Sequence, residues 1–119
     1  MLFRSETVQT LWERVDDLSD QSAKENIYDI DQDEALKFLL GTRPVTFQYK
    51  KDGQWSAGMI AQEVDALQDQ LEIYYPLVGL ETRSGKYRIE YKNFIPLLIS
   101  SVKNLQQQIE EMKGEAYVS

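Results

Sequence analysis

Apolar and polar positions along this chain fall into several distinct rhythms. Residues 5 to 18 place Val8, Leu11, Val15 and Leu18 at alternating steps of three and four. Glu6, Gln9, Glu13 and Asp16 fill the opposite face. That spacing predicts an amphipathic helix able to form a coiled-coil seam. Residues 19 to 33 are polar and turn-like. The run DEALKFLLG then predicts a short helix, with Asp33 as its N-cap and Gly41 just past its end. Val45, Phe47 and Tyr49 alternate with Thr46 and Gln48, the period of a half-buried strand, and Asp52-Gly53 supplies the turn of a hairpin. GMIAQEVDALQDQL starts as strand and continues as helix. YYPLVGLETRSGKYRIEY reads as a second hairpin with Ser84-Gly85 at its tip.

The last rhythm is the longest. From Asn93 onward, Ile95, Leu98, Val102, Leu105, Ile109 and Met112 again step by three and four, while glutamines and charges fill the outer positions. Pro96 suits only a first helical turn, so the helix starts near Asn93. One narrow apolar stripe is too little to be wrapped by a core, which predicts a self-associating coiled coil over about residues 93–113. Ile and Val alternating with Leu favour two strands by the simple seam rule, so the stripe alone does not select a trimer. Gly114 is expected to end the helix, leaving EAYVS as a frayed end. Two hairpins and short helices with one long terminal helix make an α+β domain.

Composition changes this picture mainly by exclusion. The chain has 119 residues, 42% of them apolar, which suits one domain with a modest core. No apolar run approaches the ~20 residues of a membrane span, and no secretory leader opens the sequence. A net charge of −7 disfavours nucleic acid and anionic membranes as partners, because phosphate binding needs clustered Lys and Arg. With no histidine and no cysteine, Ser-His-Asp, Cys-His and most zinc chemistry are excluded together. Asp29, Asp31, Asp33 and Glu34 are spaced like a metal loop but lack the glycine and terminal glutamate that calcium needs, so no metal or other cofactor is expected. Phe47, Tyr49, Trp55, Tyr74, Tyr75, Tyr87 and Tyr91 read as core and interface packing.

The chemistry-bearing stretch is LSDQSAKENI, residues 18 to 27. A serine hydroxyl needs a base to take its proton, and without histidine a lysine is the best base left. Ser19 stands five residues before Lys24. On one straight helix they would face about 140° apart, so they meet only across a turn or between chains. Lysine serves as base only in its neutral form. Burial or a nearby cation favours that form, and a nearby carboxylate opposes it. Asp20 and Glu25 oppose it unless they point away. The structural alternative is an ordinary helix start, with Ser22 and Glu25 as a capping box or Ser19-Asp20 as a cap.

Taken in order, SDQSAKENI, LLGTRPVTFQYK, GMIAQEVDAL and YRIEYKNFIPLLISSVKNLQQQIEEMK resemble the C-terminal intramolecular chaperone domain of phage tail spikes and endosialidases, the S74 peptidase family. The resemblance covers roughly Ser19 to Lys113. It implies an intertwined homotrimer that helps an upstream spike or fibre domain of the same polypeptide to fold. The domain then releases itself by cutting immediately before Ser19. Residues 1–18 would then be the end of the upstream stalk and residues 19–119 the chaperone domain. The family pattern makes Ser19 the nucleophile and Lys24 the general base and acid, acting on the Leu18–Ser19 bond. It carries an arginine where Ser22 stands and a larger apolar residue where Ala23 stands, and in many members a histidine where Ser56 stands. Gln62 is a candidate oxyanion donor or positioning residue, since a side-chain amide can fill that role. The resemblance implies a virion tail component assembled in the bacterial cytoplasm. The alternative is a trimerisation module of a fibre-like protein that does not cut.

Overall fold

The computed structural model describes residues 18–118, with burial known from 18 to 115. The helix expected over residues 5–18 lies outside the described residues, apart from the exposed Leu18. The chain enters through a short 3-10 turn at Gln21–Ala23. It continues with α1 (Gln32–Leu40), the hairpin β1 (Val45–Gln48) and β2 (Trp55–Gly58), and α2 (Ala61–Leu71). A second hairpin, β3 (Val78–Glu81) and β4 (Lys86–Ile89), leads through a 3-10 turn at Tyr91–Asn93 into α3 (Phe94–Val118). The architecture is α+β, as the periodicity predicts.

Both hairpins are antiparallel and stay separate two-stranded sheets. Val45 faces Gly58 in the first, and Val78 faces Ile89 in the second. Their turns need the left-handed glycines the sequence provides: Gly53 has φ +70° and Gly85 has φ +68°. Each glycine N–H closes a loop by bonding back to a strand-end carbonyl, Gly53 to Tyr49 at 2.8 Å and Gly85 to Glu81 at 2.9 Å. A lone two-stranded sheet is marginal in water, so the second hairpin depends on α2, against which both its strands lie.

The core is small. Ala35 and Phe38 of α1, Val64 of α2, Ile73 and Leu77 of the following loop, and Phe94 and Leu97 of α3 form one buried cluster. Phe38 packs edge-on against Tyr75, ring centres 5.7 Å apart. Polar contacts stitch the loop after α2 to this core. The buried Gln68 side chain donates to the Tyr75 carbonyl at 2.7 Å, and Asn93 donates to the Pro76 carbonyl at 2.7 Å. Tyr91 ties the first hairpin to the root of α3, its hydroxyl accepting the Met59 N–H at 3.1 Å. Position 58 must be glycine for this, because a Cβ there would collide with the Tyr91 hydroxyl.

Two expectations about the helices need correction, Asp33 as N-cap and Gly114 as a helix end, while Gly41 follows α1 as expected. The N-cap of α1 is Asp31, which accepts the Glu34 N–H at 3.0 Å, and not Asp33. Asp33 lies in the first turn and instead accepts from Asn104 of α3 at 2.6 Å. Gly41 caps α1 with a right-handed φ of −86°. Its lack of a side chain serves packing, since a Cβ there would come within 2.9 Å of Leu67 Cδ1 on α2. Finally, α3 runs through Gly114 to Val118. One glycine costs a helix only about 1 kcal/mol, which does not by itself end it.

The aromatic side chains divide more sharply than expected. Phe38 and Phe94 are buried, whereas Tyr49, Trp55, Tyr74, Tyr87 and Tyr91 are exposed in the single chain.

Candidate active site

Ser19 and Lys24 meet. Lys24 Nζ lies 2.7 Å from Ser19 Oγ, within one chain. The local backbone explains how a separation that fails on a straight helix succeeds here. Asp20 caps the turn, accepting the Ser22 N–H at 3.0 Å and also the Ser22 hydroxyl. Ala23 N–H bonds back to the Asp20 carbonyl at 3.0 Å, and Lys24 N–H to the Gln21 carbonyl at 3.1 Å. At Lys24 the chain leaves the turn in an extended conformation, φ −122° and ψ 146°. Asn26 then takes a left-handed φ of 53°, a conformation asparagine tolerates better than most residues. A tight turn followed by extended backbone folds the lysine side chain back over Ser19.

The alternative capping box of Ser22 and Glu25 does not form; the Ser19-Asp20 cap does, with Asp20 capping the turn and Ser22 donating to it. This also changes the electrostatics at the lysine. The Asp20 carboxylate is engaged by Ser22, and those hydrogen bonds hold it below the usual carboxylate range. The Lys24 amine is directed to Ser19 and forms no ion pair with Asp20 or Glu25. As an ammonium it donates to the serine oxygen. As a neutral amine the same 2.7 Å contact would accept the hydroxyl proton.

Leu18, Ser19 and Lys24 are all exposed in the isolated chain, and so are Ile27 and Tyr28 just downstream. The Leu18–Ser19 bond is therefore reachable, while the water exclusion that would strengthen such a site is missing from one chain alone. Gln62 is not brought to the pair. It stands on the exposed face of α2, in a groove with Phe47, Tyr49, Tyr87 and Tyr91 that includes neither Ser19 nor Lys24. Ser56 lies on β2 opposite Phe47. The carboxylates at 29, 31, 33 and 34 gather no metal-binding group among the described residues. No helix among them is long and apolar enough to cross a membrane.

The seam of α3 points away from the core. Ile95, Leu98, Val102, Leu105, Ile109 and Met112 are each 45–66% exposed, although they carry the helix's whole apolar repeat. The face of α3 that packs inward was not legible in that repeat. It consists of Phe94 and Leu97, then the buried Ser101 and Asn104. Asn104 also accepts from Gln108 at 2.5 Å.

No curated protein matches this sequence. Among solved structures, the fold is similar to one described as the crystal structure of a novel intramolecular chaperon. Identity there is 17% and the TM-score 0.61, covering 76% of this chain and 99% of that chain. Residues 19–72 match the family model Peptidase_S74, chaperone of endosialidase, and that match opens at the serine held by Lys24. Residues 19–72 are thus similar to the chaperone of endosialidase, and the fold is similar to that of a solved intramolecular chaperon.

Proposed function

We propose that this domain trimerises, assists the folding of a phage tail spike or fibre segment upstream of it, and then cuts itself off before Ser19. The observation that carries the cleavage reading is the 2.7 Å contact between Lys24 Nζ and Ser19 Oγ. In the proposed reaction, neutral Lys24 takes the proton from the Ser19 hydroxyl. Oγ attacks the Leu18 carbonyl carbon, and the C–N bond of the Leu18–Ser19 peptide breaks. The lysine returns the proton to the leaving amine. This leaves an ester between the Leu18 acyl group and Ser19 Oγ. Water then hydrolyses the ester, releasing residues 19–119 with a free amine and residues 1–18 with a carboxylate. Each chain cuts once. An oxyanion donor is required, and Gln62 of the same chain does not reach the pair, so its role in catalysis would have to come from another copy.

Association of copies is supported by the unpaired seam, and the number three by the resemblance alone. Full burial of one such side chain is worth about 1.5–3 kcal/mol, and the seam offers six of them in register. Neighbouring copies would also cover the exposed Ile27 and Tyr28 just downstream, helping to exclude water from the site. Cleavage would then wait for assembly. On this reading residues 1–18 belong to the upstream stalk, assembly takes place in the bacterial cytoplasm, and no nucleic acid, membrane or cofactor takes part.

A second reading is a trimerising module that does not cut. The exposure of both Ser19 and Lys24 in a single chain favours it. Ser19→Ala and Lys24→Ala, followed by denatured mass over days, separate the two. If the dyad is right, the first abolishes the 19–119 fragment and the second slows it about 10²–10⁴-fold. A fragment that appears at the wild-type rate in Ser19→Ala would remove Ser19 as nucleophile.

A further inference from the structure

Bringing Lys24 to Ser19 takes more than the two residues that meet, and the turn between them has one organiser. We infer that Asp20 is a positioning residue of the self-cleavage centre: its carboxylate, by accepting both the N–H and the hydroxyl of Ser22, locks the turn that delivers Lys24 to Ser19 and keeps itself off the lysine. This rests on the Ser19–Lys24 reading above. Three observations carry it. The two Ser22 contacts fall on the same Asp20 oxygen, Oδ2. The 3-10 turn of Gln21–Ala23 is three residues long and buries none of them, so no packing holds its shape. Its remaining bonds are the two backbone closures at Ala23 and Lys24. A turn without packing depends on its cap. Without the cap, the Asp20 carboxylate would be free to rotate toward the ammonium four residues on. Asp20 thus acts twice through one contact, by shaping the backbone and by sequestering a charge.

The two effects predict different things of two substitutions. Asparagine caps nearly as well as aspartate, whereas alanine does not cap. In the full chain, Asp20→Ala is expected to slow appearance of the 19–119 fragment about 5–30-fold. Asp20→Asn is expected to stay within about threefold of wild type, with its pH–rate midpoint unmoved. Ser22→Ala keeps the N–H contact but loses the hydroxyl one, and is expected between the two. The inference is overturned if Asp20→Ala cuts at the wild-type rate. It is equally overturned if Asp20→Asn falls as far as Asp20→Ala with a displaced pH profile, which would make Asp20 an electrostatic partner and not a cap. If wild type does not cut, the self-cleavage reading itself fails. The positioning claim is then read directly by NMR on the full chain. Nuclear Overhauser contacts between the Lys24 ε-protons and the Ser19 β-protons should persist in Asp20→Asn and vanish in Asp20→Ala. Their survival in Asp20→Ala would overturn it.

Discussion

The two faces of α3 invert the usual order of a globular protein. The inward face begins apolar, with Phe94 and Leu97, then turns polar at Ser101 and Asn104. The outward face stays apolar as far as Met112. Across the described residues, eight apolar side chains are buried while eighteen large apolar or aromatic ones are exposed. A helix that packs polar residues inside and shows its apolar repeat outside is not finished by its own chain. The inward face fixes where α3 starts and how it leans on α1. On the proposed reading, the outward face is the part left for other copies.

Substitutions on the two faces should therefore fail differently. The largest effect is expected from Leu105→Asp, which places a charge in the middle of the outward seam. Native mass spectrometry should show monomer in place of trimer, while circular dichroism keeps the signal of α1 and α2. A surviving trimer would show that α3 is not the association surface. Next comes Leu97→Ala on the inward face. Leu97 is 1% exposed, and truncating such a side chain costs about 2–5 kcal/mol. Chemical denaturation should show that loss in the fold of each chain, before any change in how chains associate.

Smaller effects test how the polar inner stretch is tolerated. The Ser101 hydroxyl is buried and finds no hydrogen-bond partner. An unsatisfied buried group costs about 1–3 kcal/mol, so Ser101→Ala should raise stability by up to that amount. A clear destabilisation would mean the hydroxyl has a partner in solution. Asn104→Ala should act in the opposite direction, since it strips Asp33 of its donor.

The smallest effect concerns the turn at the candidate site. Ser22 holds the Asp20 carboxylate below its ordinary value of 3.8. A depressed carboxylate contributes order that is complete above the unfolded value and lost as pH falls through the folded one. The Ser22 amide shift, followed by NMR from neutral pH downward, should stay constant to about pH 4 and move only below it. A transition above that value would contradict the cap.

Strands and hairpin tips were legible because alternation and left-handed glycines are local signals. The N-cap of α1 was misplaced by two residues, because Asp29, Asp31 and Asp33 can all cap and only the fold decides between them. The inward face of α3 was invisible to periodicity. Ser101 and Asn104 lie off the apolar stripe, and Asn104 finds its partner only in Asp33, 71 residues away. The Ser19–Lys24 pair was legible as residue types, but its geometry depended on Asp20 and not Ser22 taking the cap, a choice between two good cappers. Gln62 shows the limit of motif reading: the residue type suits an oxyanion donor, while its place on α2 does not bring it to the pair.

The most direct test of the account is the denatured intact mass of the purified chain after days at neutral pH, read beside its native mass and that of Ser19→Ala. The account predicts a trimer for both. It predicts a species of residues 19–119 from wild type alone, with Ser19→Ala remaining full length. A wild-type trimer that stays full length, or a Ser19→Ala chain that still releases the fragment, would contradict it.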